Sequence, residues 1–189
     1  MFGSHLALAS SAMGDSLEER KLYGGAIIIN LPANLIDASD LRQIPDAQEV
    51  FLDPNSDINY IFEVLDRVEP TDPEEAAKFH FDSIAQDSSA ESYEVQTVYV
   101  PEQQGSSADT PAPILLTGTQ KVAKFNRTDL DDVFVLLALF RLTGKPHDIV
   151  FVLNVPATAT TTNINLDVTK QAFSAMANSL KIVDFGLFA

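Results

Sequence analysis

The sequence predicts an α+β fold in which a largely antiparallel central sheet is covered by helices on both faces. Three observations carry that expectation. Helix-patterned segments stand before and after a run of strand-patterned ones. Short turns join the strands. Residues 133–142 and 149–155 are nearly continuous apolar runs, as expected of central strands buried on both faces. A chain of 189 residues is long enough for one core and short for two domains.

Taken in order, residues 1–19 read as a flexible tail without the basic and apolar regions of a signal peptide, and 20–189 as a single domain. Residues 22–31 (LYGGAIIINL) form a strand, with β-branched Ile27, Ile28 and Ile29 between Gly24-Gly25 and Pro32. A short turn or helix over 37–42 follows, and Pro45-Asp46 opens a second extended run, 49–52, closed by Asp53-Pro54-Asn55. Ile58, Ile61, Phe62 and Leu65 then recur at helical spacing, predicting an amphipathic helix with Asp57, Glu63 and Asp66 facing water. Thr71-x-x-Glu74 with Pro73 is a capping box that starts a second helix, buried along Ala77, Phe81 and Ile84.

Residues 94–100 are a strand. The stretch 102–113 (EQQGSSADTPAP) carries no large apolar side chain to offset ordering entropy and is expected to be a mobile loop. Three strands follow at 114–123, 133–142 and 149–155, with a buried helix at 133–142 as the rival reading. A last helix, 166–180, aligns Ala172, Phe173, Met176 and Leu180.

Composition narrows the function. Twelve Lys and Arg against 27 Asp and Glu give a net charge of -15 and a pI near 4.3, which disfavours nucleic acid and anionic lipid and favours a basic partner. Eighteen of the acids fall between residues 36 and 110, against Arg42, Arg67 and Lys78 alone, so one flank carries the imbalance. The absence of Cys excludes disulfides, thiolate metal sites and thiol nucleophiles. The longest apolar run, 133–140, is eight residues against the roughly 20 that span a bilayer, so no membrane insertion is expected.

No constellation supports bond chemistry. Thr143-Gly144-Lys145 lacks the earlier glycine of a phosphate loop and is followed by Pro146. His80 sits on or beside a buried helix stripe, where a hydrogen-bonded structural role is expected. Asn126-Arg-Thr128 matches a glycosylation sequon without a secretory context. Arg141 ends an apolar run and requires a carboxylate or carbonyls as partners. The informative segment is 37–51, where Pro45 stiffens the chain ahead of Asp46 and Glu49 and a turn into a strand brings both carboxylates to one rim, suited to Lys or Arg of another protein.

Leu22-Tyr-Gly-Gly-Ala26, Ile36-Asp-Ala-Ser-Asp-Leu-Arg42, Ile44-Pro-Asp-Ala-Gln-Glu-Val-Phe51, Ala77-Lys-Phe-His-Phe81, Leu139-Phe-Arg-Leu142 and Val183-Asp-Phe-Gly-Leu-Phe-Ala189 resemble the Ran guanine-nucleotide release factors of the Mog family. The resemblance covers about 20–189 and leaves 86–113 unaligned. It implies an α/β/α sandwich akin to PsbP, binding of the small GTPase Ran, preferably in its GTP form, nucleotide release, and a role in nuclear protein import from the nucleus and cytoplasm. It assigns Asp46 and Glu49 to the Ran-binding surface, with Asp37, Arg42 and Phe51 beside them, as contact residues rather than catalytic acids. A monomer with no cofactor, no metal and no enzymatic activity is expected. The alternative is a non-enzymatic acidic adaptor escorting a transport or membrane protein. A PsbP-like lumenal subunit shares the expected fold but would need a transit peptide.

Overall fold

The computed structural model describes residues 16–102, 110–123, 130–158 and 161–188. In chain order these form β1 (Leu17–Leu22), β2 (Ile27–Pro32), β3 (Ile36–Asp37), β4 (Gln48–Leu52), β5 (Asn59–Asp66), α1 (Pro73–Asp87), β6 (Ser92–Tyr99), β7 (Ile114–Ala123), β8 (Leu130–Arg141), β9 (His147–Pro156), α2 (Leu166–Ser179) and β10 (Lys181–Ile182). Short 3-10 turns lie at Tyr23–Gly25, Ala38–Asp40 and Phe185–Phe188. The strands make a three-stranded sheet, β1-β2-β10, and a seven-stranded sheet, β3-β4-β5-β9-β8-β7-β6. Every pairing in both is antiparallel.

Alternation along β8 divides the core. Phe134, Leu136, Ala138 and Phe140 join Phe62, Phe151, Phe173 and Met176, together with Ile27, Ile29 and Leu31 of the small sheet. Val135, Leu137 and Leu139 join Ala76, Ala77 and Phe81 of α1. A strand packed on both sides has no polar face to show, which is why 133–140 reads as one unbroken apolar run and lies in β8 rather than in the rival buried helix.

The same double burial defeats the helix expected over 58–65. Those residues form β5, hydrogen-bonded between β4 and β9. Tyr60 and Phe62 enter one cluster while Ile61 and Leu65 pack against the other. Apolar side chains needed on both faces fall at spacings that mimic a helical stripe. Glu63 and Asp66 therefore stand on a strand. At α1 the cap is Asp72, whose side chain accepts from the Glu75 N–H at 3.0 Å, one residue later than the expected Thr71. Ala76, His80 and Ala85 are buried with Ala77 and Phe81, and Ile84 is only half-buried.

β1 begins within the expected tail and pairs with β2 from Leu17↔Pro32 to Leu22↔Ile27. Its LEERKL sequence, mostly exposed, has too few apolar residues to announce a strand. Residues 1–15 lie outside the described residues, as do 103–109 of the expected loop and 126–128 of the sequon. Beyond that loop Thr110 Oγ1 accepts from the Ile182 N–H at 2.8 Å.

At one end of the large sheet a buried ionic cluster closes the core. Arg141 Nε lies 3.3 Å from Asp148 Oδ1, its Nη2 donates to Val68 O at 3.0 Å, and its Nη1 donates to Pro70 O. Asp148 Oδ2 also accepts from the Val68 N–H at 3.2 Å and lies 3.1 Å from His80 Nε2. Arg141 and His80 thus have the partners their burial demands. Burial by itself would push the Asp148 carboxyl up, but the bonds from His80 and Val68 and the Arg141 charge outweigh it and hold the carboxyl below its ordinary value.

Two outcomes follow for stability. Asp148→Asn leaves Arg141 buried without its counter-charge and should lower unfolding free energy by about 3–5 kcal/mol in denaturant titration. Because Asp148 titrates lower folded than unfolded, its contribution is complete above about pH 4 and is lost as pH falls through the folded value, so the variant's deficit should shrink in acid. Gly118 lies beneath α1, where an added Cβ would sit 2.4 Å from Phe81 Cζ and 2.7 Å from the Glu94 carbonyl oxygen. Gly118→Ala should cost about 1–3 kcal/mol by overpacking, visible as a lower Tm.

Candidate partner-binding site

The site is built where three sequence segments meet. Tyr23, Gly24 and Gly25 follow one another at φ 50, 65 and 98, a left-handed turn between β1 and β2. Glycine accepts such dihedrals freely, whereas Tyr23 is held there against a strain of about 1–2 kcal/mol. What holds it is the second segment, 45–49. The Tyr23 N–H donates to Glu49 Oε1, and the Tyr23 hydroxyl donates to the carbonyls of Ala47 at 3.1 Å and Phe62 at 3.0 Å. The third segment closes the turn from the other side, since Ala26 O accepts from the N–H groups of Val183 at 2.8 Å and Asp184 at 3.1 Å.

Pro45 to Gln48 is a tight turn in which the Gln48 N–H donates to Pro45 O at 2.9 Å, with Asp46 exposed at its tip. The turn feeds β4, where Glu49 lies opposite Phe62 and Phe51 lies opposite Asp37 of β3. Strand alternation puts Asp37, Glu49, Phe51 and Phe62 on one face. Asp37 caps the following 3-10 turn by accepting from the Ser39 N–H at 2.8 Å. Desolvation pushes the half-buried Glu49 carboxyl up; the Tyr23 N–H opposes this and the Asp37 charge adds to it. The Tyr23 phenol is raised well above the tyrosine range, first by burial and then by Glu49 and Glu63, and so remains a donor.

Of the residues expected at this surface, the structure gathers Asp37, Asp46 and Glu49 at the edge of the large sheet, and Arg42 stands exposed in the loop between β3 and β4. Phe51 is the exception. At 3% exposure it stacks edge-on against Phe62 and lies 5.7 Å beneath the Arg20 guanidinium, so it supports the rim from within and offers no surface to a partner. Glu49 lies in β4 where the 49–52 run is expected, but its side chain is half-buried and faces Tyr23 of the small sheet rather than open solvent. Glu63 is engaged too, accepting from Gln48 Nε2 at 2.5 Å. Tyr23 stands in the Tyr-Gly-Gly-Ala motif, but its spacing from residue 49 gives no sign in the sequence that the two touch. Among the described residues no three His, Asp or Glu side chains gather as metal ligands.

A mixed α/β chain with large antiparallel sheets and an acidic rim at one sheet edge is the class these features define. The fold is shared with the cyanobacterial PsbP of Synechocystis, which superposes at a TM-score of 0.55 over 95% of this chain and 99% of that one at 14% identity. The family is narrower. The family model described as Ran-interacting Mog1 protein matches residues 20–156, and this chain belongs to the Mog1 family. It is 34% identical over 180 residues to the Ran guanine nucleotide release factor of Danio rerio, covering 89% of this chain and 98% of that protein. The nuclear import protein MOG1 of Saccharomyces cerevisiae is 32% identical over 197 residues, 91% of this chain and 85% of that one. The crystal structure of the yeast Ran-binding protein Mog1p superposes at a TM-score of 0.75 over 93% of this chain and all of that one, at 26% identity.

The raised Glu49 value has a signed consequence. A carboxyl that titrates higher folded than unfolded favours the fold when protonated and detracts from it as pH rises through the folded value. Glu49→Gln keeps an oxygen acceptor for Tyr23 and removes the charge; it should equal or exceed wild type in stability at pH 7, by less than about 1 kcal/mol, with the advantage fading toward pH 4. Glu49→Ala loses the bond and should be destabilised by about 1 kcal/mol in the same titration.

Proposed function

We propose that this chain binds Ran through the rim formed by Asp46, Glu49 and Asp37, with Arg42 at its border, and promotes release of the bound guanine nucleotide in support of nuclear protein import. The observation that carries this reading is the joining of the Tyr-Gly-Gly-Ala and Pro-Asp-Ala-Gln-Glu segments of a Mog1-family chain into one acidic rim, through the bonds from Tyr23 to Glu49 and Ala47. Carboxylates carried on a turn and a strand suit Lys or Arg of a partner, and Glu49 and Asp37, already hydrogen-bonded, enter the contact with little side-chain entropy left to lose. Packing of α1 and α2 against alternate faces of β8 supports the α/β/α sandwich as the scaffold.

Release needs no bond chemistry from this chain. A binder accelerates nucleotide loss by binding more tightly to the Ran conformation that grips nucleotide weakly, and linkage makes the effect mutual: nucleotide in turn weakens the complex. The GTP-bound form is the preferred substrate of this action, and the protein works as a monomer in the nucleus and cytoplasm. The names of the relatives favour release over the adaptor role.

The test is a dissociation assay. Ran loaded with a fluorescent guanine nucleotide should lose it faster as this protein is added, and an unchanged rate across a wide concentration range overturns the proposal. Asp46→Ala should weaken binding by about 1–3 kcal/mol while shifting stability by no more than about 0.5 kcal/mol. Glu94→Ala, an exposed acid on β6 at the opposite edge of the large sheet, serves as the control: an equal loss there, strongly salt-dependent, would reduce the rim to general electrostatic steering.

A further inference from the structure

We infer that Tyr23 is a positioning residue of the Ran-binding rim: its phenol and its backbone N–H hold the Asp46 turn and the Glu49 carboxylate in the arrangement that Ran reads. The inference rests on the rim being the Ran-binding surface. Tyr23 sits on the turn between β1 and β2, in the small sheet, whereas the rim belongs to the large one. Two donors of this one residue cross between them: its N–H to Glu49 Oε1, and its hydroxyl, whose one proton is shared between Ala47 O and Phe62 O. Ala47 lies directly between Asp46 and Gln48, so a donor fixed on its carbonyl fixes the plane of the turn that carries Asp46. The same carbonyl accepts from the Val64 N–H at 3.0 Å, which extends the β4–β5 ladder into the turn. Phe62 is the residue opposite Glu49, so both ends of the phenol's grip flank the two rim acids.

The backbone supports the same conclusion. Tyr23 takes φ 50 ahead of two glycines that also take positive φ, a conformation disfavoured for an aromatic residue, and that conformation is the one in which its N–H donates to Glu49 while its hydroxyl reaches the neighbouring turn. Burial first, and then the charges of Glu49 and Glu63, keep the phenol protonated and able to donate. A side chain that merely filled core would need no hydroxyl. Tyr23 directs its hydroxyl to two backbone carbonyls at the edge of the site.

The experiment compares full-length wild type with Tyr23→Phe, which keeps the ring and the backbone bond to Glu49 and removes only the hydroxyl. Binding to nucleotide-loaded Ran should weaken about tenfold, mainly through faster dissociation, with Tm little changed. The decisive readout is a cycle with Asp46→Ala. If Tyr23 acts through the Asp46 turn, Tyr23→Phe should lose less than about threefold once Asp46 is Ala. Replacing Tyr23 by para-aminophenylalanine, which restores a donor at the ring tip, should recover affinity to within about threefold. Ala47→Gly tests the same anchor without touching Tyr23, by loosening the turn, and should weaken binding several-fold with stability retained. Wild-type affinity in both Tyr23→Phe and Ala47→Gly would overturn the inference, as would an equal tenfold loss in both Asp46 backgrounds. Failure of the wild-type chain to act on Ran would overturn the functional reading instead, so the two failures are separable.

Discussion

Everything in this molecule depends on keeping β8 and β9 packed on both faces at once. Their side chains alternate between a cluster shared with the small sheet and α2 and a cluster shared with α1. Such strands give the core its bulk and also impose a constraint, because any polar group at their ends must bring its partners inside with it. Arg141 and Asp148 end that region as opposed residues of β8 and β9, and His80 of α1 completes their bonding. The ionic cluster is therefore a condition of the packing, holding α1, the 67–71 connection and the sheet in one register.

That rigidity is what the rim borrows. Asp46 and Glu49 lie at the border of the same sheet, two strands from β9 through β5, and the small sheet reaches across to them through Tyr23. The chain segments that meet there come from residues 22–26, 45–49 and 183–184, far apart in sequence. A loop on its own would present the acids in many arrangements; a turn tied to two sheets presents few. The partly desolvated Glu49 is a small liability to the fold when ionised, offset in part by the Tyr23 N–H it accepts from.

How much of this could be read from the sequence follows from which physical signals are local. Strands β7, β8 and β9 were legible because apolar runs of that length between turn residues have few alternatives, and Arg141 announced its own need for partners. β5 mimics a helix in sequence because double burial removes period-two alternation, and β1 is hidden because an edge strand dominated by charged residues carries almost no apolar signal. The acidic motif at 44–51 was recognisable as a pattern. That Phe51 belongs to the core beneath it, and that Glu49 is half-buried against Tyr23, depends on pairings 14 and 26 residues distant that no local rule supplies.

The proposed meeting place of Ran and this protein is the Tyr23–Asp37–Asp46–Glu49 edge. Backbone amide shifts of the isotopically labelled chain, followed during titration with unlabelled Ran, test it directly. The largest changes should fall at residues 23–26, 37–42 and 46–49, with the exposed face of α1 and edge strand β6 unmoved. Perturbations centred on α1 or β6, with the rim silent, would contradict it.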